Sequence, residues 1–138
     1  MKALIVIGSF LAAVVIMASC QNEQQMDFNR YYAAGATVYQ THCQNCHGDK
    51  GQGLAALMPP LTDTLFLKAY KNELVCILQN GLKKGIVIHG KSFDGQMPPA
   101  KLSLMEMAQV LTYVTNSFGN KQGLINHDDV ARDIQGCK

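Results

Sequence analysis

The sequence predicts an all-α fold of three main helices, and three observations predict it. Apolar residues recur at helical spacing from Phe28 to Thr41, and Ser103 with Glu106 forms a capping box that opens another well-marked helix. Between them stands Cys43-Gln44-Asn45-Cys46-His47, two thiols and an imidazole spaced to hold a large planar group in the middle of a small domain.

The chain opens with Met1-Lys2 and a nearly uninterrupted apolar run from Ala3 to Ala18, the charged start and short apolar middle of an export signal over residues 1–19. A membrane-spanning helix wants about 20 apolar residues, so the run is short for one. Gln21-Asn22-Glu23-Gln24-Gln25 is polar and unpatterned, which predicts a flexible tether over residues 20–30. The main domain is expected over residues 31–119. In its first helix Tyr31, Tyr32, Val38 and Tyr39 form an apolar stripe that Gly35 interrupts. A helical glycine costs about 1 kcal/mol against alanine, so Gly35 predicts a second helix touching there, with Ser103 to Ser117 as the partner.

Asn72 to Asn80 predicts a shorter helix with an Asn cap, Leu74, Ile77 and Leu78 facing inward, and Gly81 as its stop. Ile86-Val87-Ile88 and Lys91-Ser92-Phe93, joined by His89-Gly90, predict a small β-hairpin. In the last main helix Leu104, Met107, Ala108, Leu111 and Val114 share one face, Leu102 and Met107 form a hydrophobic staple, and Phe118-Gly119-Asn120 ends it. The connections read as loops. Residues 48–53 are glycine-rich but lack the preceding strand and the Lys-Ser/Thr ending of a phosphate cradle, and are expected to wrap the edge of the bound group. Residues 120–138 form an extension with an amphipathic stretch from Asp128 to Ile134.

Two thiols separated by two residues can each reach one vinyl group of a porphyrin and form a thioether, while the adjacent imidazole falls beneath the iron. Cys43, Cys46 and His47 therefore predict one covalently attached haem c per chain, with His47 as the proximal ligand. A redox dithiol would want a βαβ setting, and a structural zinc site a second ligand pair; neither is in the sequence. Met97, in Gly95-Gln96-Met97-Pro98-Pro99, sits on a proline-stiffened turn from which its thioether could reach the opposite face of the haem, and a His/Met pair raises the reduction potential. His89 is its rival as axial ligand. Met58, Met105 and Met107 read as packing residues, and His42 and His127 as solvated imidazoles.

The 138 residues suit one domain with accessory ends, and 48% apolar content is ordinary for a globular chain. The formal charge of +2 falls to +1 without residues 1–19, where Lys2 is the only charged residue. Two haem propionates would bring it to about −1, which gives no case for nucleic-acid binding.

Met17-Ala18-Ser19-Cys20 resembles the lipobox of bacterial lipoproteins, with methionine where leucine is usual, and implies cleavage before Cys20 and acylation of that residue. Several acyl chains would hold the protein firmly on a membrane. Export permits disulfides, and setting aside Cys20, Cys43 and Cys46 leaves Cys76 and Cys137, which invite one bridge. Closing some sixty residues would stabilise the fold by about 4 kcal/mol in the chain-entropy account. Two free thiols, a buried Cys76 or intermolecular pairing are the alternatives.

Taken together, the residues resemble the monohaem class I cytochromes c from roughly Tyr31 to Phe118. The resemblance implies a cytochrome c fold in which Gly35 and Tyr39 on the first helix meet Val110 and Tyr113 on the last. Pro59-Pro60-Leu61 is similar to the family's proximal Pro-x-Leu segment, which implies that the Pro59 carbonyl accepts the ring N–H of His47 and that Leu61 packs on the haem. It further implies an electron carrier, not an enzyme, tethered to the bacterial cell envelope with its haem domain on the periplasmic side. Its partners would be a dehydrogenase, reductase or terminal oxidase, met as a monomer or as a subunit of a complex. An iron left five-coordinate, free to bind small gases or peroxide, is the competing expectation.

Overall fold

A helix longer than the sequence predicts opens the chain: α1 runs from Lys2 to His42 in the computed structural model, which describes residues 2–137. Along the first half of α1 it describes the side chains of Ile7 and of residues from 23 onward, so the side chains of most of the expected signal segment, and of Cys20, lie outside the described residues. Among the described residues no helix is long and apolar enough to cross a membrane.

Residues 23–30, expected as a flexible tether, are helical and continuous with the rest of α1. The physical reason lies in their composition. Gln, Glu, Met and Arg are good helix formers, and no Gly or Pro intervenes before Gly35. The Gln25 amide also donates to Asn29 Oδ1 at 3.0 Å, and Arg30 pairs with Asp27 at 2.8 Å, both spanning one helical turn.

Beyond α1 come α2 (Gln44–His47), α3 (Thr64–Ala69), a 3-10 turn (Lys71–Glu73) and α4 (Leu74–Asn80). The hairpin β1 (Ile86–Ile88) and β2 (Lys91–Phe93) follows, then α5 (Leu104–Val114), α6 (His127–Asp133) and a final 3-10 turn (Ile134–Gly136). The two antiparallel strands pair Ile86 with Phe93 and Ile88 with Lys91. His89 and Gly90 both have positive φ, 49° and 77°, as a tight two-residue hairpin turn requires.

The packing that organises the domain is α1 across α5. A methyl group at Gly35 would overlap the Gln109 carbonyl and come within 2.8 Å of Tyr113 Cβ, so the two backbones touch where the glycine predicts they should. Tyr39, 1% exposed, stands one turn further on, its ring 5.4 Å from those of Tyr113 and Phe118. The Ser103 capping box forms as expected, and α5 buries Met107, Ala108, Val110, Leu111 and Val114. Met105 departs from the packing expectation: it is 41% exposed, on the outer face of α5.

Three further expectations change. The loop before α4 contains α3, begun by Asp63, whose carboxylate accepts the Phe66 amide at 2.9 Å. Asn72 does not cap α4. It sits inside the preceding 3-10 turn, and Glu73 holds the cap position without a side-chain bond. The extension is built into the core: Ile125 and Val130 are 4% and 0% exposed, and the Thr112 hydroxyl on α5 donates to the Ile125 carbonyl at 2.9 Å.

Candidate functional site

The attachment motif straddles the junction of α1 and α2. Cys43 sits between the two helices, and His47 closes the short α2, where Tyr39 on the last full turns of α1 donates its hydroxyl to the Gly48 carbonyl at 2.6 Å. That bond fixes the chain leaving the motif. The ring of His47 is fixed from the other side, Nδ1 lying 3.1 Å from the Pro59 carbonyl oxygen. A carbonyl can only accept, so Nδ1 carries the proton and Nε2 keeps its lone pair for a metal. Burial lowers the basicity of His47, with the Pro59 bond partly offsetting it, which favours the neutral, ligating form.

His47 opens onto a cleft whose lining is almost wholly apolar, as cofactor pockets are. Its walls come from Cys43 at the α1–α2 junction, Phe66 and Leu67 on α3, Leu74, Ile77 and Leu78 on α4, and Val110, Leu111 and Val114 on α5. The hairpin adds Ile86 and Ile88, and the loops add Pro59, Pro60, Leu61, Leu82 and Met97. A neighbouring hollow brings in Cys46 and Met58 beside Met97, Pro98 and Pro99. Cys46 is exposed and Cys43 half-buried. Burial, then the proximity of Cys46, pushes the Cys43 thiol up to about 11. An apolar cleft walled by the His47 imidazole, the Cys43 thiol and the Met97 thioether, with Cys46 and Met58 in the adjoining hollow, fits a haem in donor chemistry and in lining.

Met97 is held by its backbone. Its N–H donates to the Leu82 carbonyl at 3.0 Å and its carbonyl accepts the Leu82 N–H at 2.8 Å. Gly81 makes that approach feasible. Its φ of 69° ends α4, and any side chain there would overlap the Met97 carbonyl. His89 takes a different position: it is exposed, lines neither hollow, and its Nε2 is 3.0 Å from the Asp63 carboxylate.

A family model described as cytochrome c oxidase, cbb3-type, subunit III matches residues 31–114. The chain belongs to this cytochrome c family. It is 31% identical over 93 residues to a cytochrome c-552 of Thermus thermophilus, a match covering 64% of this chain and 70% of that relative. A second cytochrome c-552 of the same species is also 31% identical over 93 residues, with 62% of its length covered. As a monohaem class I cytochrome c, the chain carries haem c covalently and belongs to a family of electron carriers, not enzymes. Domains of this cytochrome c type work outside the cytoplasm.

Several lining residues were not singled out from the sequence. Phe66 and Leu67 ride on α3, whose Asp63 cap was its one legible signal. Leu82 gives no signal at all, because its role is a backbone pairing with a residue fifteen positions away. The glycine-rich loop 48–53, expected at the haem edge, lies off the walls of both hollows: Gly51 meets the Phe118 ring, and the Gly51 carbonyl accepts the Leu61 N–H at 2.7 Å.

Proposed function

We propose that this protein is a membrane-tethered carrier of single electrons, its haem joined through Cys43 and Cys46 and ligated by His47 and Met97. The observation that supports this most directly is that His47 and Met97 line one apolar cleft from separate walls, each held in place, His47 by the Pro59 carbonyl and Met97 by Leu82. When bound, the haem supplies the one-electron chemistry. The chain contributes the rest. His47 presents an unprotonated Nε2, Met97 offers a soft sulfur that favours the reduced metal, and the cleft excludes water and so limits the reorganisation that accompanies a change of charge. Filling both axial positions from the chain leaves no place for a substrate. Leu61, which lines the cleft near Pro59, would pack against the haem.

Acylation of Cys20 after removal of residues 1–19 would anchor the chain, with the haem domain on the periplasmic side of the bacterial envelope. A bridge between Cys76 and Cys137, whose sulfurs are joined in the structure, would form after export. The partners would be a dehydrogenase, a reductase or a terminal oxidase. A subunit of a larger oxidoreductase is the second reading, and the family description in terms of an oxidase subunit favours it.

The test is spectroscopic. Ferric holoprotein should show the weak near-infrared sulfur-to-iron band; Met97→Ala should lose it and drop in potential, while His89→Ala keeps both. Loss of the band in His89→Ala, or its persistence in Met97→Ala, overturns the ligand assignment. Cys20→Ser protein that stays in the membrane fraction at wild-type mobility overturns the anchor.

A further inference from the structure

The family match ends at Val114, yet the chain beyond it is tied into the domain at three points. Thr112 and Ile125 exchange bonds, the Asn116 side chain accepts the amides of Gln122 and Gly123 at 3.0 and 2.8 Å, and Val130 is fully buried. The segment then ends on Cys137, bonded to Cys76 in the middle of α4.

The helix it reaches is the one that carries the Met97 loop. Seven residues long and without a side-chain cap, α4 is too short to be stable except through what packs on it. Its inner face lines the cleft, and three backbone bonds tie its end and the residues just after it to the loop: the Ala100 N–H to the Leu78 carbonyl at 2.9 Å within α4, and Leu82, beyond the Gly81 turn, with Met97 in both directions. Whatever fixes α4 therefore fixes the backbone of Met97. Cys76 stands in α4 two residues before Leu78, whose carbonyl holds the Ala100 N–H, and six before Leu82, which follows the Gly81 turn.

We propose that Cys76 and Cys137 are positioning residues for Met97: the bridge braces α4 from behind and so keeps the thioether over the haem. This rests on the reading of Met97 as axial ligand. Cutting the bridge leaves the cleft intact but lets the end of α4 and the loop move together, so Met97 leaves the iron more often.

The test compares oxidised holoprotein with holo Cys76→Ser/Cys137→Ser. A third sample is wild type treated with dithiothreitol, which gives two electrons and two protons to the bridge and closes to its own cyclic disulfide. Its thiols are then alkylated and its iron reoxidised with ferricyanide. Cutting the bridge should speed amide hydrogen exchange at Leu82, Met97 and Ala100 about tenfold, and raise the affinity for added imidazole by the same factor, since apparent affinity follows the open population. Exchange in α1 should not change. If residues 125–137 loosen while those three amides and the imidazole affinity stay as they were, the bridge pins only the tail and the proposal fails. It fails too if denatured oxidised wild type yields two alkylatable thiols. Should the double variant not load haem, the chemically reduced sample decides. A wild type without the sulfur-to-iron band refutes Met97 as ligand, while the exchange at Leu82 and Met97 still reports on the brace.

Discussion

His89 Nε2 lies 3.0 Å from the Asp63 carboxylate, joining the tip of the hairpin to the first turn of α3. Both elements wall the haem cleft, through Ile86 and Ile88 on one side and Phe66 and Leu67 on the other, so one side-chain pair links two walls. The imidazole that competes on paper for the iron is occupied elsewhere.

Asp63 gives this link a pH dependence of definite sign. The Phe66 amide holds the Asp63 carboxyl below its usual range; burial, the next influence in size, opposes it, and His89 adds to the lowering. A depressed carboxylate contributes stability above its unfolded pKa of about 4, and that contribution is lost as pH falls through the folded value. Asp63→Ala should cost about 1 kcal/mol at neutral pH as a lost helix cap. Asp63→Asn keeps a capping oxygen and should shallow the acid limb of stability measured by urea unfolding between pH 5 and the acid midpoint; an acid limb identical to wild type contradicts the assignment.

Gly35→Ala sets helix propensity against packing. Alanine gains about 1 kcal/mol in a free helix. Here its methyl meets the Gln109 carbonyl, a backbone group that cannot swing away, and overpacking of this kind costs about 1–3 kcal/mol. The expected net result is a lower midpoint in chemical denaturation of the holoprotein. A stabilised variant would mean that α1 and α5 are not in contact at this point.

Tyr39→Phe removes one hydroxyl from a buried site. The Gly48 carbonyl, directly after His47, loses its 2.6 Å donor and keeps only the longer bond from the Gly51 N–H at 3.3 Å, a loss of about 1 kcal/mol. Burial raises the pKa of Tyr39 above the ordinary phenol range, so in ultraviolet titration Tyr39 should stay protonated beyond that range. A full tyrosine count ionising together in folded protein would show that Tyr39 is not buried.

Ser103→Ala and Met105→Ala form a matched pair at the start of α5. The first removes the capping bond to the Glu106 amide and should cost about 1 kcal/mol. The second truncates a largely exposed side chain and should fall within about 0.5 kcal/mol of wild type. Equal losses would mean that α5 is oriented differently.

The attachment motif, the Gly35 crossing, the Ser103 box and the hairpin are legible in the sequence because each is carried by residues close together in the chain and by a pattern with a local cause. Spacing decides how two thiols meet two vinyl groups; a glycine inside a good helix announces a neighbour; Ser with Glu three residues later caps a helix wherever it sits. Met105 misleads for the same reason, since hydrophobicity without a partner says only that a side chain could be buried.

What the tertiary structure alone decides is pairing between distant segments. That Leu82 holds Met97 and that Asp63 occupies His89 depends on approach distances between groups that leave no mark on residue type, whereas the tie from the tail to α4 is marked by its two cysteines. Composition and spacing name the groups that can hold a haem; only the folded chain, by closing loops whose entropy must be offset by contacts, brings them to one cleft.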